Sequence, residues 1–180
     1  MKQQVLRVMD AVYLACIWVA GAAIFFMSLI IPWGIFSRYV LGTGSQWPEP
    51  IAILLMVVFT FIGAAASYRA GSHIAVAMLT DRLPAGMQKM AAGFSHTVML
   101  LLSVFMTLYG FNLCVETWGQ SISELTWMPV GLTYSPVPVG GLLTLLFVLE
   151  HMFFGSQSQR AIVRFDHDID HAIEPAAGAN

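Results

Sequence analysis

A chain of 180 residues is long enough for one modest soluble domain or for about four membrane-spanning helices. Only 10% of it is charged, against roughly 25% in soluble globular proteins, while 58% is hydrophobic and the mean hydropathy is +0.75. Such a chain belongs in a bilayer; its eight Lys and Arg at a net charge of −2 exclude nucleic-acid binding, and its two cysteines exclude a disulfide scaffold.

The fixed charges fall in clumps, and the runs between them predict an all-α membrane domain over residues 1–155. Its spans lie at about 11–37, 50–68, 90–115 and 137–154. A crossing needs around 20 mainly apolar residues. The first run holds twelve Val, Ile, Leu or Phe residues, worth roughly −4 to −7 kcal/mol of insertion energy. Although Lys2 and Arg7 precede it as in a signal peptide, it continues through Phe25, Phe26, Leu29 and Ile31, well past a signal h-region. Cys16 near its start and Cys114 near the far end of the third span sit at opposite depths and are read as apolar packing residues.

Trp33, Tyr39 and Trp47 flank the first connection, and Trp118, Trp127 and Tyr134 lie in the third. Trp and Tyr favour headgroup depth. From Ile74 to Pro84 an apolar-faced segment is expected to lie along the membrane surface between the second and third spans. The fourth span follows Pro129, Pro136 and Pro138 and has Glu150 inside it. That carboxylate is expected to snorkel to the interface or to contact a partner subunit. Residues 156–180, with Asp166, Asp168, Asp170 and Glu174, are expected to form a disordered acidic tail.

Lys and Arg side chains set the expected orientation. Lys2, Arg7, Arg69, Arg82, Lys89, Arg160 and Arg164 fall on one side and Arg38 alone on the other. By the positive-inside rule both termini face the cytoplasm, and Arg69 reads as an inner-face anchor.

A solute carrier needs polar groups at mid-membrane depth. No Asp or Glu lies within the first three of these spans, so transport by this chain alone is not expected. His96 and His151 both fall toward the cytoplasmic side, which leaves a haem-binding membrane anchor of a respiratory dehydrogenase as the rival reading. Small residues at Gly21-Ala22-Ala23, Gly63-Ala64-Ala65-Ala66-Ser67 and Gly140-Gly141 predict close helix packing, within the chain or onto another.

Two blocks carry a family pattern. The first reads Arg38-Tyr39-Val40, Ser45-x-Trp47-x-Glu49, Phe61-Ile62-Gly63-Ala64-Ala65 and Tyr68-Arg69-x-Gly71-x-His73-Ile74-x-Val76. The second reads Leu125-x-x-x-Pro129-x-Gly131-Leu132-x-Tyr134-x-x-x-Pro138-x-Gly140. Over residues 5–155 the chain resembles the small, DctQ-type membrane subunit of tripartite ATP-independent periplasmic (TRAP) transporters. It departs from that pattern where Pro50, not a second acid, follows Glu49.

The resemblance implies a multi-pass protein of the bacterial inner membrane and no enzyme. It implies a non-catalytic scaffold for a large DctM-type permease subunit, which moves an organic acid (a C4-dicarboxylate, sialic acid or a sugar acid) delivered by a periplasmic binding protein. Sodium ions are expected on the large subunit, with no cofactor and no metal on this chain; membrane lipids are the remaining partners. Arg38, Tyr39, Ser45, Trp47, Glu49, Gly63, Tyr68, Arg69, Gly71, His73, Pro138, Gly140 and Glu150 are the candidate interface or structural residues. Arg38 and Glu49 either pair with each other or contact a partner.

Overall fold

The computed structural model describes residues 2–43, 46–70 and 85–154. Ser45, Gly71 and His73, the expected surface segment from Ile74 to Pro84 and the acidic tail lie outside them. The described elements are α1 (Lys2–Tyr39), α2 (Pro48–Arg69), α3 (Ala85–Thr117), strands β1 (Ser121–Ile122) and β2 (Leu125–Pro129), the one-turn α4 (Val130–Tyr134) and α5 (Pro136–Phe154). Among the described residues, four stretches are long and apolar enough to cross a membrane: Gln3–Tyr39, Pro48–Arg69, Gly93–Thr117 and Val130–Phe153.

The ends of these helices follow from local chemistry. At 38 residues, α1 is about 57 Å long and exceeds a hydrocarbon core of about 30 Å. Pro32 lies inside it and is tolerated there as prolines are in membrane helices. The helix closes where Gly42 adopts φ 62° and the Thr43 hydroxyl meets the Ser37 hydroxyl at 2.7 Å. Pro48, with its ring fixing φ and no N–H to orphan, opens α2. Glu49 in the first turn and Arg69 in the last match the helix dipole.

The helices form an open row in the order α1, α2, α5, α3. The main contacts are α1 on α2, α2 on α5, and α5 on α3. Consecutive glycines in α5 make close approaches to both of its neighbours in the row. A Cβ on Gly140 would lie 2.7 Å from Phe61 Cβ and 2.9 Å from the Phe61 carbonyl oxygen on α2. A Cβ on Gly141 would lie 2.9 Å from Thr107 Oγ1 on α3. Small residues thus bring backbones together where lipid tails compete with apolar side chains.

The core gathers at the end of the row that holds both the start of α1 and the end of α5. Tyr13 and Cys16 meet Ala65, Ala66 and Tyr68 of α2 and Phe147 and Val148 of α5. At the opposite end, β1 and β2 form a small antiparallel hairpin pairing Ile122 with Leu125. The hairpin is a small addition to the all-α membrane fold the sequence predicts: Thr126 and Trp127 favour extended backbone, and Pro129 stops helix formation from propagating back through the segment. The hairpin buries Leu125 and Met128, and Gly131 beside it packs tightly on the Cys114 carbonyl. Cys16 and Cys114 are both buried free thiols.

Candidate functional site

Three helix ends deliver one charge each to the same level of the bundle. Asp10 comes from the second to third turn of α1, Arg69 from the last turn of α2 and Glu150 from the last turns of α5. Because α1 and α5 run opposite to α2 along their shared contacts, an early residue of α1, the last of α2 and a late one of α5 share a depth only if their connections alternate between ends. They do, and the three side chains meet. The Arg69 guanidinium donates from Nε to Glu150 Oε2 at 2.7 Å and from Nη2 to Glu150 Oε1 at 2.8 Å. Nη2 also donates to Asp10 Oδ1 at 2.7 Å.

All three residues are buried, with Asp10 5%, Arg69 4% and Glu150 4% exposed. The Arg69–Glu150 pair is the two-point fork that a planar guanidinium makes with a carboxylate. Aromatic faces line the cation: Arg69 Cζ lies 5.3 Å from the Tyr13 ring centroid and 5.5 Å from that of Phe147, within reach of a cation–π attraction. Arg69 Nη1, also buried, has no hydrogen-bond partner among the described residues.

This geometry corrects two sequence readings. Arg69 is not a solvated anchor on the inner face, and Glu150 neither snorkels nor projects toward a partner; each neutralises the other inside the chain. It also adds Asp10, which the charge-free run beginning at residue 11 had placed just outside the first span. Its signal was legible: Asp10 is the one acid among the first ten residues, one helical turn before Tyr13, at the depth where Arg69 and Glu150 end their own helices.

The histidines stand beside this cluster. The His151 ring lies 6.3 Å from that of Tyr68 and 4.5 Å from that of His96, the latter edge to face at 85°. Among the described residues no group of three His, Cys, Asp or Glu side chains is placed to hold a metal ion.

The remaining candidates are spread along the row. Arg38 and Glu49 lie at the other end, 3.8 Å apart and well exposed. Counted at 1.5 Å per residue, Glu49 and Arg69 are separated by about 30 Å along α2, one hydrocarbon thickness. Tyr39 is exposed and Trp47 half-exposed next to this pair. A Cβ on Gly63 would only reach ordinary contact with Ala20 of α1, while Pro138 packs on Gly110 and Gly140 on Phe61. Tyr68 is buried in the core.

Fold and site together define a multi-pass α-helical membrane protein whose buried charges, among the described residues, are paired with one another. The family described as tripartite ATP-independent periplasmic transporters, DctQ component, matches residues 27–157. The chain belongs to this family, the TRAP transporter small permease subunits, which are transporter components and not enzymes. It is 24% identical over 117 residues to a TRAP transporter small permease protein of Haemophilus influenzae, covering 65% of this chain and 72% of that one. It is 27% identical over 128 residues to the sialic acid TRAP transporter small permease protein SiaQ of Vibrio cholerae, covering 69% of this chain and 71% of that one.

Proposed function

We propose that this chain is the non-catalytic scaffold of a sodium-driven TRAP transporter for organic acids. It sits in the bacterial inner membrane with both termini in the cytoplasm and holds the fixed part of a large permease subunit in the bilayer. That subunit binds the sodium ions and the solute, which a periplasmic substrate-binding protein delivers. The sialic acid relative supports including an acidic sugar in the proposed substrate class.

The observation that carries this reading is how the charges are used. The cationic group that would attract an organic anion inside the membrane, Arg69, is already occupied by two carboxylates of the same chain. Carriers instead keep such groups aimed at a cavity near the midplane. Large apolar side chains such as Trp18, Phe25, Phe94, Leu101 and Phe105 point outward from the open row, which favours a role in contacting lipid and protein.

The test is reconstitution. Liposomes holding this chain alone are expected to take up no solute under a sodium gradient. Liposomes holding it with the large permease subunit, supplied with the binding protein, are expected to take up the organic acid, and omission of this chain should abolish uptake. Uptake by the isolated chain would reject the scaffold role.

A further inference from the structure

We propose that the groove between α1 and α2, at the end opposite the buried charges, seats one phosphatidylethanolamine molecule. The groove has a volume of about 370 Å³ and is walled by Ile31 and Ile35 of α1 and Ile53 and Met56 of α2, with Arg38 and Glu49 at its mouth.

Its dimensions match one lipid leaflet. From Arg38 at the mouth to Met27 at the far end is eleven residues of α1, about 16 Å at helical rise and close to half of a hydrocarbon core of about 30 Å. The wall is apolar along that length, as an acyl chain requires. The exposed Tyr39 ring at the mouth stands at the depth where such rings meet headgroups.

The mouth supplies the headgroup chemistry. Arg38 Nη2 and Glu49 Oε2 are 3.8 Å apart, with side chains 52% and 72% exposed. At that distance and exposure the pair contributes little by itself, and among the described residues neither side chain has a closer partner. A guanidinium suits a phosphate, and a carboxylate beside it suits a primary ammonium. A headgroup carrying both charges a few ångströms apart satisfies Arg38 and Glu49 together; an anionic headgroup without the amine satisfies Arg38 and leaves its negative charge facing Glu49.

The experiment is native mass spectrometry of the full chain, and of its complex with the large subunit. Both are exchanged from detergent into equal mixtures of palmitoyl-oleoyl phosphatidylethanolamine and palmitoyl-oleoyl phosphatidylglycerol. Phosphatidylethanolamine should be retained about two- to fivefold over phosphatidylglycerol, the factor expected of one exposed ion pair. Glu49→Gln should erase that preference while keeping total lipid. Arg38→Gln should lower retention of both lipids, and Ala52→Phe, which fills the groove, should do the same without touching the headgroup charges. Equal retention of the two lipids by the unaltered protein, or an unchanged preference in Glu49→Gln, would overturn the proposal. Undiminished lipid in Ala52→Phe would do so too, as would loss of the lipid from the complex, which would mean that protein fills the groove.

Discussion

Arg69 sits where an ion is costly unless every partner is in place. Its burial strips water from three charged groups, and the attraction among them roughly offsets that loss rather than adding large stability. Removing one member is another matter. Arg69→Met leaves two buried carboxylates facing each other and should destabilise the protein by about 3–5 kcal/mol, read as lower thermal stability in detergent. Asp10→Asn, which weakens the contact to Nη2, should cost less than Glu150→Gln, which loses the fork. The triple variant Asp10→Asn, Arg69→Met, Glu150→Gln should recover part of the loss, because residues of one network do not add. If the triple variant is as unstable as the sum of the singles, the three charges do not act as a unit. The charge clumps in the sequence located the three helix ends well, yet not this meeting of side chains. Each charge taken alone has an adequate surface explanation: Arg69 as an inner-face anchor, Glu150 as a snorkelling acid, Asp10 as part of a polar start. The cluster becomes legible only when alternation of the spans places residues 10, 69 and 150 at one depth.

Among the described elements, α5 is the strut of the row, because it makes the main contacts with both α2 and α3. Its Gly140-Gly141 pair turns one glycine toward each neighbour. A methyl on Gly140 meets backbone as well as side chain of Phe61, so the neighbour cannot simply swing away. Gly140→Ala should cost about 1–3 kcal/mol, as overpacking does, and should lower the yield of folded protein. Gly141→Ala meets the Thr107 hydroxyl and backbone nitrogen and should behave alike. Gly21→Ala is the control: nothing lies within 4 Å of its added methyl, and in a helix alanine is favoured over glycine by about 1 kcal/mol, so stability should hold or rise. Equal sensitivity at Gly21 and Gly140 in a thermal unfolding series would contradict the packing described. The small-residue patches announced close contacts in general terms, and the tightest of them fall on Gly140 and Gly141, while Gly63 only grazes Ala20. Spacing along the sequence could not separate these cases, because each depends on which neighbour the row supplies. The β1–β2 hairpin was hidden for a related reason: two short strands between helices leave too little alternation to read.

An open row of four spans gives the whole molecule little interior and much outward apolar surface, and that surface has a direction. Joining Asp10, Arg69 and Glu150 at one level requires the start of α1, the end of α2 and the end of α5 to share a membrane face, with the hairpin at the other. The proposed orientation puts the termini in the cytoplasm, because the positive-inside rule favours the face to which the sequence allots seven of its eight Lys and Arg. A thiol-labelling experiment reads this directly. In a background with Cys16 and Cys114 replaced by alanine, Gly119→Cys puts a thiol on the exposed turn before β1, where an added side chain meets nothing within 4 Å. Gln3→Cys puts one on the exposed first turn of α1. A membrane-impermeant maleimide added to intact cells should label the first and spare the second, and permeabilised cells should show both. Labelling of Gln3→Cys alone in intact cells would invert the orientation while leaving the fold intact. Labelling of both in intact cells would place residues 3 and 119 on one face, which is incompatible with three crossings between them and with the shared depth of the three buried charges.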